Sequence, residues 1–354
     1  MTLAQSALKI ISLAVPNGAG LGRAGWIKGR KPVGWFSRVR IALVGSLFAT
    51  LLPAAAAQAD TNDNIYTIWH WNVSGHVLND GKADTGMVDG AVASIINRDI
   101  EFASFNELCH AQWVDLVAKL RAAGWAKNPD NFARFEPSIA ANSGVCGEGA
   151  YGNAIFSKYE LGQAVRIPLP DDPSSEQRNL LCAPVIDRPK TRFCTTHIAP
   201  VGNGVTDADK VAQLRAVQVQ IDAWATAGET VMIAGDFNVE PHRWTLNTYY
   251  SASLASTANS GNTGRFRELD DNDSANCLGY GEWTADDPNV KKSSACTELP
   301  LGNENKEKID YIFVTEASLD APGSYSADSL AIATNCTQGA CSDHRILTGT
   351  VTVK

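Results

Sequence analysis

The sequence of 354 residues predicts an α/β sandwich, in which helices cover strands. Three observations support this class: short apolar segments that recur along the chain, an amphipathic segment between two of them, and polar side chains at the strand ends. With 44% hydrophobic residues and no internal repeat, the composition excludes disorder, collagen and coiled coil. The predicted strands are 65–73, 102–108, 132–139, 152–157, 192–198, 230–236, 309–315 and 345–353.

The amphipathic segment spans residues 207–227. Thr206 is its predicted N-cap, and the apolar run 231–234 that follows is typical of a strand covered on both faces. The apolar side chains of the segment recur every three or four residues, which places them on one face of a helix. They are Val211, Leu214, Val217, Ile221 and Trp224.

Residues 1–59 are predicted to be a signal peptide with an N-terminal extension, and residues 60–354 to be the folded domain. Arg38 and Arg40 precede the apolar stretch 41–57, and residues 57–59 (Ala-Gln-Ala) match a signal-peptidase site. The stretch is shorter than the roughly 20 residues that span a bilayer. We therefore expect a secreted, extracellular protein that begins at Asp60. An uncleaved membrane anchor is the alternative.

All eight cysteines lie after residue 59. An even number of cysteines in an exported chain predicts disulfides, although eight cysteines allow about a hundred pairings. Zinc binding is the competing use, but the sequence has no C-x2-C pair and no cluster of cysteine with histidine. Pairing between sequence neighbours predicts bridges Cys109 with Cys146, Cys182 with Cys194, Cys277 with Cys296, and Cys336 with Cys341.

The predicted mature chain is strongly acidic. Without the seven basic residues of 1–59 it has 23 basic and 38 acidic side chains, a net charge of −15. Such a surface repels polyanions, so contact with nucleic acid requires a local basic strip or a bound cation. The candidates for a basic strip are Arg265, Arg267, Lys291 and Lys292.

Side chains capable of chemistry stand at the ends of the predicted strands. Each motif alone is weak, because Gly, Asp and Asn also suit turns. Together they include carboxylates, histidines and amides, which are poor core residues but suit a site built on a rigid scaffold. In chain order they are Asn72, Glu107, His197, Asp236 and Asn238 in Gly-Asp-Phe-Asn, Asp310 in Ile-Asp-Tyr-Ile, and Asp343 and His344 in Ser-Asp-His.

In this order and at these spacings, the motifs resemble the endonuclease/exonuclease/phosphatase superfamily, best known from deoxyribonuclease I. The resemblance covers nearly all of residues 64–354. It implies a four-layer sandwich, two mixed β-sheets face to face and flanked by helices, with a divalent-metal phosphodiesterase or phosphatase site at one edge. Asn153 matches a strand common in the superfamily, whereas Asn106 stands where many members have Gln.

The resemblance also implies roles for single residues. Glu107 and Asp343 are expected to be metal carboxylates, and Asn72 the amide that helps to hold a metal. His197 and His344 are expected to be the acid and base, Asp310 to orient His344, and Asp236 and Asn238 to position phosphate and nucleophile. For the partner of His197, Glu148 and Tyr151 are the candidates.

Chemistry explains why such residues suit a phosphodiester, whose negative charge repels an attacking hydroxide. Mg²⁺ prefers oxygen ligands and fits one or two carboxylates, and Mn²⁺ or Ca²⁺ would accept the same oxygens. Histidine transfers protons near neutral pH. His344 is the predicted base and His197 the predicted acid or phosphate donor, with Asp236 as the alternative base. The acidic segment 270–273 is either a solvated turn or a structural Ca²⁺ loop.

Three functions remain open on the sequence. The first is a secreted, metal-dependent nuclease whose partner is DNA or RNA. The second keeps the site but acts on a phospholipid or phosphoinositide, as a sphingomyelinase does, and would use exposed aromatic residues to enter a lipid interface. The third is a non-catalytic binding protein of the same fold. No obligate protein partner is evident. The candidates for the interfacial residues are Trp244, Tyr249, Tyr250 and Trp283.

Overall fold

The computed structural model describes residues 64–286, 296 and 306–354. The predicted signal peptide, 1–59, lies outside these residues, as do Lys291 and Lys292. The helices are α1 (Met87–Asn97), α2 (His110–Ala122) and α3 (Asp207–Thr226), with 3₁₀ turns at Trp244–Leu246 and Glu316–Ser318. The strands are β1 (Ile65–Asn72), β2 (Phe102–Cys109), β3 (Ala133–Ile139), β4 (Tyr151–Ser157), β5 (Val165–Pro168), β6 (Asn179–Pro184), β7 (Thr191–Thr196), β8 (Thr230–Asp236), β9 (Phe266–Glu268), β10 (Ala285–Asp286), β11 (Lys306–Glu307), β12 (Asp310–Thr315), β13 (Tyr325–Leu330) and β14 (Ile346–Thr352).

Two six-stranded mixed sheets form the centre of the fold. The first has the order β13-β14-β1-β2-β4-β3, and the second has the order β5-β6-β7-β8-β12-β9. The pairs β1 with β2 and β7 with β8 are parallel, and the other neighbours are antiparallel. β10 and β11 form a separate two-stranded ribbon. All eight predicted strands are present, with ends that differ from the prediction by at most two residues.

Three apolar clusters fill the spaces between four layers. Between the two sheets, Ile68 and Phe102 of the first pack in one cluster with Phe193 and Ile312 of the second. α1 and α2 cover the outer face of the first sheet, and α3 covers the outer face of the second. The sandwich that the sequence predicts, with helices outside two facing sheets, is therefore confirmed.

Helix α3 begins where the sequence predicts. Thr206 is its N-cap: the Thr206 hydroxyl accepts a hydrogen bond from the backbone N–H of Asp209, and the Asp209 carboxylate accepts one from the N–H of Thr206. This reciprocal capping satisfies two backbone donors at the helix start. Leu214, Val217 and Ile221 are buried against the second sheet, as their spacing requires.

The four disulfides pair sequence neighbours, as predicted: Cys109–Cys146, Cys182–Cys194, Cys277–Cys296 and Cys336–Cys341. The second of these joins the adjacent strands β6 and β7. Two others lie next to site residues, since Cys109 is two residues after Glu107 and Cys341 is two residues before Asp343.

The acidic segment 270–273 is not a solvated turn at its first two residues. Asp270 and Asp271 are fully buried. The Lys308 ammonium lies 3.0 Å from Asp270, and Arg267 donates two hydrogen bonds of 2.8 Å to Asp271. These basic side chains offset carboxylate charge, and the Ca²⁺ loop stays a prediction. Arg267 is thereby also excluded from the predicted basic strip, and Arg265 lies 3.4 Å from the carboxylate of Asp222.

Within the described ranges, none of the helices combines the length and the apolar character needed to cross a bilayer.

Candidate active site

Strand order brings the predicted residues to one edge of the sandwich. β1 and β2 are parallel neighbours, and Asn72 at the end of β1 lies opposite Asn106. β8 and β12 are antiparallel, so the last residue of β8, Asp236, lies opposite the first residue of β12, Asp310. His197, which directly follows β7, bridges to Asp236. Ends of strands from both sheets therefore meet here.

Asn72 joins the two sheets at this edge. Its carboxamide nitrogen donates to Glu107 Oε1 at 3.0 Å and to Asp236 Oδ2 at 3.1 Å. Its carbonyl oxygen accepts from the backbone N–H of Ser74 at 3.2 Å, which fixes the orientation of the amide. In this arrangement Asn72 holds two carboxylates next to each other. Its predicted role as a metal ligand stays a prediction.

Glu107 stands in an irregular part of β2. The pairing of β2 with β4 shifts register between Phe105 and Leu108, and Glu107 within that shift has a φ of 57°. A non-glycine residue at positive φ costs energy and is held there by its surroundings, as at many functional sites. The shift turns the Glu107 carboxylate toward Asn72. The Tyr151 hydroxyl also bonds to this carboxylate, and burial, followed by the charge of Glu107, raises the pKa of Tyr151.

Asp310 lies between two histidines. Its Oδ2 is 2.8 Å from Nδ1 of His344, as the predicted orienting role requires. Its Oδ1 is 3.1 Å from Nε2 of His70, a fully buried residue that the sequence analysis missed. Nδ1 of His70 is in turn 2.9 Å from the Ser104 hydroxyl. Its position in the sequence could have indicated it: His70 and Asn72 are two residues apart in a predicted strand, so their side chains share one face of β1.

The surroundings of His197 correct one prediction. Nδ1 of His197 lies 3.7 Å from Glu176, and Nε2 lies 3.6 Å from Asp236. Glu148 is exposed and Tyr151 bonds to Glu107, so the acidic neighbour on the Nδ1 side is Glu176, which precedes β6. Arg178, also buried, places Nη1 2.9 Å from Glu176. Neither residue stands in a motif at a strand end, so neither was predicted as part of the site.

A network of buried amide side chains connects the strand ends at the site. The Asn106 carboxamide donates to Asn153 at 2.7 Å, and Asn153 donates to Asn179 at 3.0 Å. The Asn106 oxygen accepts the backbone N–H of Asp236 at 2.8 Å. All three amides are buried, so the network fixes the ends of β2, β4 and β8 relative to one another. Asn106, which departs from the superfamily pattern, serves as a scaffold residue.

The Ser342-Asp343-His344 segment is docked on the end of β1. The Ser342 hydroxyl donates to the backbone oxygen of Asn72 at 2.7 Å, and the Trp71 indole donates to the backbone oxygen of His344 at 2.9 Å. Asp343 is exposed, and its backbone oxygen accepts from the N–H of Asp286 at 3.1 Å. Asp343 thus stands at the rim of the cluster, and its role as a metal ligand stays a prediction.

Asn238 lies beside Asp236 and faces the same edge. Its φ is 52°, the second site position with a left-handed backbone. Its N–H donates to Asp236 Oδ1 at 2.8 Å, and its carboxamide donates to the Ile198 carbonyl at 2.8 Å. The Lys210 ammonium donates to the Asn238 carbonyl. Three hydrogen bonds of Asn238 therefore hold the Gly-Asp-Phe-Asn turn in place.

Burial and charge shift the pKa values of the cluster in different directions. Burial, followed by the neighbouring charge of Asp310, raises the pKa of Asp236 to about 7. Burial opposes protonation of His344, but the charge of Asp310 and its hydrogen bond outweigh it and raise the pKa of His344 to about 10. Burial also favours neutral Asp310, yet the charge of His344 keeps the pKa of Asp310 below its usual range.

The pKa values of the His197 pair also shift. Burial, followed by the charge of Arg178, holds the pKa of His197 well below 6.5. Burial raises the pKa of Glu176 to about 7 although Arg178 opposes it. At neutral pH the two histidines therefore differ: His344 is charged and His197 is neutral.

A cleft of about 820 Å³ opens beside this cluster. Its lining includes His344 and Asn238 of the site and Lys210 of α3. Trp244, which starts a 3₁₀ turn, also lines the cleft. A substrate in this cleft would therefore contact His344 and Asn238 directly.

The chain belongs to the endonuclease/exonuclease/phosphatase family. The model of that family matches residues 69–344, a span that contains every predicted site residue. The predicted class, a phosphoric ester hydrolase, is therefore confirmed at the level of the family. No curated protein sequence matches the chain.

Solved structures share the fold. An endonuclease/exonuclease/phosphatase from Beutenbergia cavernae is 20% identical with a TM-score of 0.52, over 82% of this chain and 72% of that one. D. rerio TDP2, in complex with a single-strand DNA product, is 19% identical with a TM-score of 0.54, over 82% and 100%. The human Nocturnin catalytic domain with bound sulfate is 14% identical with a TM-score of 0.54, over 82% and 95%.

Enzymes of this family use divalent metals, generally Mg²⁺, and the side chains here fit such an ion. Among the described residues, one group of three metal-binding side chains has its ligand atoms within 4.8 Å of one another: Asp236, Asp310 and His344. Both oxygens of Asp310 are already engaged by histidines. Glu107, which is half-buried and supplies hard oxygen atoms, is the better ligand for a cation of this kind.

Proposed function

We propose that the chain is a secreted phosphodiesterase that needs a divalent cation, in the first instance Mg²⁺, and hydrolyses nucleic acid. One observation carries the proposal. The Asn72 amide donates to both Glu107 and Asp236, so a carboxylate suited to a cation stands directly beside the buried acid and histidine cluster. The cleft next to this cluster gives a substrate room to reach it.

Metal binding falls to Glu107, with Asp343 and Asn72 as further candidates. When bound, a hard cation neutralises charge on the phosphodiester and polarises its oxygens. Asn72 contributes in any case, since its hydrogen bond orients Glu107. Such orienting partners influence metal affinity strongly.

The pKa shifts favour Asp236 as the base that accepts a proton from the attacking water. A pKa of about 7 suits that role near neutral pH. His344 at about 10 stays protonated, so it donates a hydrogen bond to a phosphoryl oxygen or a proton to the leaving alkoxide. This arrangement differs from the first assignment, His344 as base, and agrees with the alternative that the sequence left open.

His197 and Asn238 complete the site as neutral groups. The lowered pKa of His197 keeps its ring uncharged, and Glu176 lies on the side of Nδ1. A neutral imidazole or amide next to the phosphate stabilises developing charge by donating a hydrogen bond. Asp310 acts through His344, because both its oxygens bond to histidines.

Nucleic acid is the substrate class that we favour. One neighbour of similar fold, TDP2, was solved with a single-strand DNA product. The lipid alternative needs several exposed aromatic residues at an interface. Tyr249 and Tyr250 are instead fully buried, and Trp283 lies between Lys306 and Arg345, 3.5 Å from each charge to the ring centre. Only Trp244 of these four is exposed.

Export is supported by the signal pattern of residues 1–59 and by the four disulfides, which require an oxidising compartment. We expect the chain collected from the culture medium to begin at Asp60. The mass of the secreted protein checks this, and a mass that retains residues 41–57 would support a membrane anchor instead.

The function is tested on the purified mature chain with plasmid DNA, RNA and sphingomyelin vesicles, each with Mg²⁺ and with chelator. We expect Mg²⁺-dependent cleavage of nucleic acid. Glu107→Gln, which loses the carboxylate charge but keeps the shape, should raise the Mg²⁺ concentration for half-maximal rate by about tenfold or more. Glu148→Gln is the exposed control. Hydrolysis of lipid alone would overturn the proposal.

A further inference from the structure

Trp244 is the one exposed aromatic residue among residues 64–286, 296 and 306–354, with 69% of its surface accessible. Most large aromatic side chains of this protein are buried in the three clusters. An indole left in solvent costs free energy, since apolar area stays in contact with water. Because Trp244 also lines the cleft that contains His344 and Asn238, its exposure points to a ligand.

The turn that carries the indole is anchored in the core. Trp244 begins a 3₁₀ turn whose third residue, Leu246, is fully buried. Three residues later Tyr249 packs in the core, and its hydroxyl donates to the Leu214 carbonyl of α3 at 2.5 Å. A rigid platform loses little entropy when it binds, which is how preorganised sites gain affinity.

The rest of the cleft limits what can lie on this platform. Val239 and Ile309, both largely buried, are apolar members of its lining. The charged lining is mixed, with acidic side chains more numerous than basic ones, so the cleft is unsuited to a run of phosphates. The acidic members are Asp207, Glu240, Asp286 and Glu307, and the basic ones are Lys210 and Arg243, besides His344.

A flat, neutral group fits this combination best. A quaternary ammonium group is bound by several aromatic rings that surround it, whereas here one tryptophan offers one face. The volume of about 820 Å³ also exceeds what such a small cation fills, and it accommodates a nucleoside. Aromatic and aliphatic side chains on opposite sides are the usual surroundings of an unstacked base.

We propose that this cleft is a subsite for an unpaired nucleobase, which stacks on Trp244 while the neighbouring phosphodiester reaches His344 and Asn238. The proposal rests on the proposed nuclease function and makes it more specific. A base inside a duplex has both faces covered by its neighbours and cannot offer one to the indole. The subsite therefore selects single strands or frayed ends.

The first test compares wild type with Trp244→Ala and Trp244→Phe on a short single-stranded oligonucleotide with Mg²⁺. Loss of one base stack should raise KM about tenfold with kcat little changed. Phenylalanine should restore most of the affinity. On the corresponding blunt duplex the two variants should match wild type. Val219→Ala, at an exposed position on α3 outside the cleft, is the matched control.

The second test uses oligonucleotides in which each position in turn is abasic. Removal of the base at one position next to the cleaved bond should raise the KM of wild type by the same factor as the Trp244→Ala substitution does. The same removal should not raise the KM of Trp244→Ala any further. Such non-additivity identifies direct contact. The subsite would be overturned if each abasic position raised KM by the same factor in wild type and in Trp244→Ala. It would also be overturned if Trp244→Ala raised KM for sphingomyelin vesicles and not for oligonucleotides.

The two proposals fail differently. If wild type cleaves single strands but Trp244→Ala does so with unchanged KM, the subsite is wrong and the nuclease function stands. If wild type cleaves no nucleic acid, both are wrong. A readout without metal is quenching of tryptophan fluorescence by an oligothymidylate in chelator. We expect quenching in wild type and less quenching in both Trp244→Phe and Trp244→Ala, because neither variant has the indole that the base would contact.

Discussion

At the scale of single residues, the charge on Asp310 determines the protonation of His344. The two side chains are 2.8 Å apart and fully or nearly fully buried, so each stabilises the charged form of the other. His70 occupies the second oxygen of Asp310 and keeps the carboxylate in place. The sequence predicted the pair from its resemblance to a family. It did not predict His70, since a lone histidine in an apolar strand gives no signal of its partner.

Asp310→Asn should shift the pH dependence of hydrolysis. In wild type we expect the rate to rise through about pH 7, as Asp236 loses its proton, and to fall near pH 10, as His344 does. Without the Asp310 charge, burial again lowers the pKa of His344, so the alkaline limb moves to lower pH. The maximal rate should fall about a hundredfold or more.

The measurement is kcat/KM against pH at a fixed Mg²⁺ concentration. Asp80→Asn, at an exposed position, serves as control. An alkaline limb that stays in place in Asp310→Asn would show that His344 does not need its proton for catalysis.

At the scale of elements, the sequence located those with strong periodic signals. β1, β2, β4 and β8 are buried along nearly their whole length, and the sequence shows them as apolar runs. β5 and β13 lie at sheet edges: β5 has only four residues, and β13 carries Ser326, Asp328 and Ser329, so the strand signal of each is weak. Short edge strands of this kind are where natural sheets avoid long apolar runs.

Two helices were missed for a different reason. α1 follows Gly86 and α2 follows Cys109, and neither has a Ser, Thr, Asp or Asn cap at its start. α2 also begins directly after β2 with no intervening loop. Helix starts are recognised mainly by such caps, so α3, which has Thr206, was the one predicted.

Thr206→Ala tests how much this cap contributes. The variant loses the hydroxyl that accepts the Asp209 N–H, so we expect the free energy of unfolding to fall by about 1 kcal/mol. Thr206→Ser keeps the oxygen and should stay close to wild type. Urea denaturation of the two variants measures the difference. Equal stability of Thr206→Ala and wild type would mean that water replaces the cap at this exposed position.

At the scale of the whole molecule, a buried ion network joins the outer strands of the two sheets. Lys308 lies 3.0 Å from Asp270 and 3.3 Å from Glu268 at the end of β9. Asp271 accepts a hydrogen bond of 2.7 Å from the Tyr325 hydroxyl on β13. Burial raises the pKa of Glu268 to about 8 although Lys308 opposes it. The sequence could not predict this network, since acidic turns are normally solvated.

Lys308→Met should destabilise the protein strongly. The change leaves buried carboxylates without a cation, and removal of one partner from a buried pair costs about 3–5 kcal/mol. Lys82→Met breaks an exposed pair with Asp80 and should change stability by less than about 1 kcal/mol. Denaturation midpoints and slopes of both variants give the comparison. A loss in Lys308→Met no larger than that in Lys82→Met would mean that protonation of Glu268 and Asp270 relieves the charge.

Net charge predicts how the enzyme responds to salt. The predicted mature chain carries −15, and the described arginines of the proposed basic strip are paired with acids. Binding of nucleic acid therefore depends on the cation, His344 and a few local groups. We take these groups together to make about two contacts with phosphates. Each contact contributes a slope of about −0.7 to log K against log salt for single strands. KM for a single-stranded oligonucleotide should then rise less than about tenfold between about 50 and 200 mM NaCl at constant free Mg²⁺. A far steeper dependence would assign further contacts to basic residues such as Lys291 and Lys292, and the acidic surface would then be no barrier to polyanions.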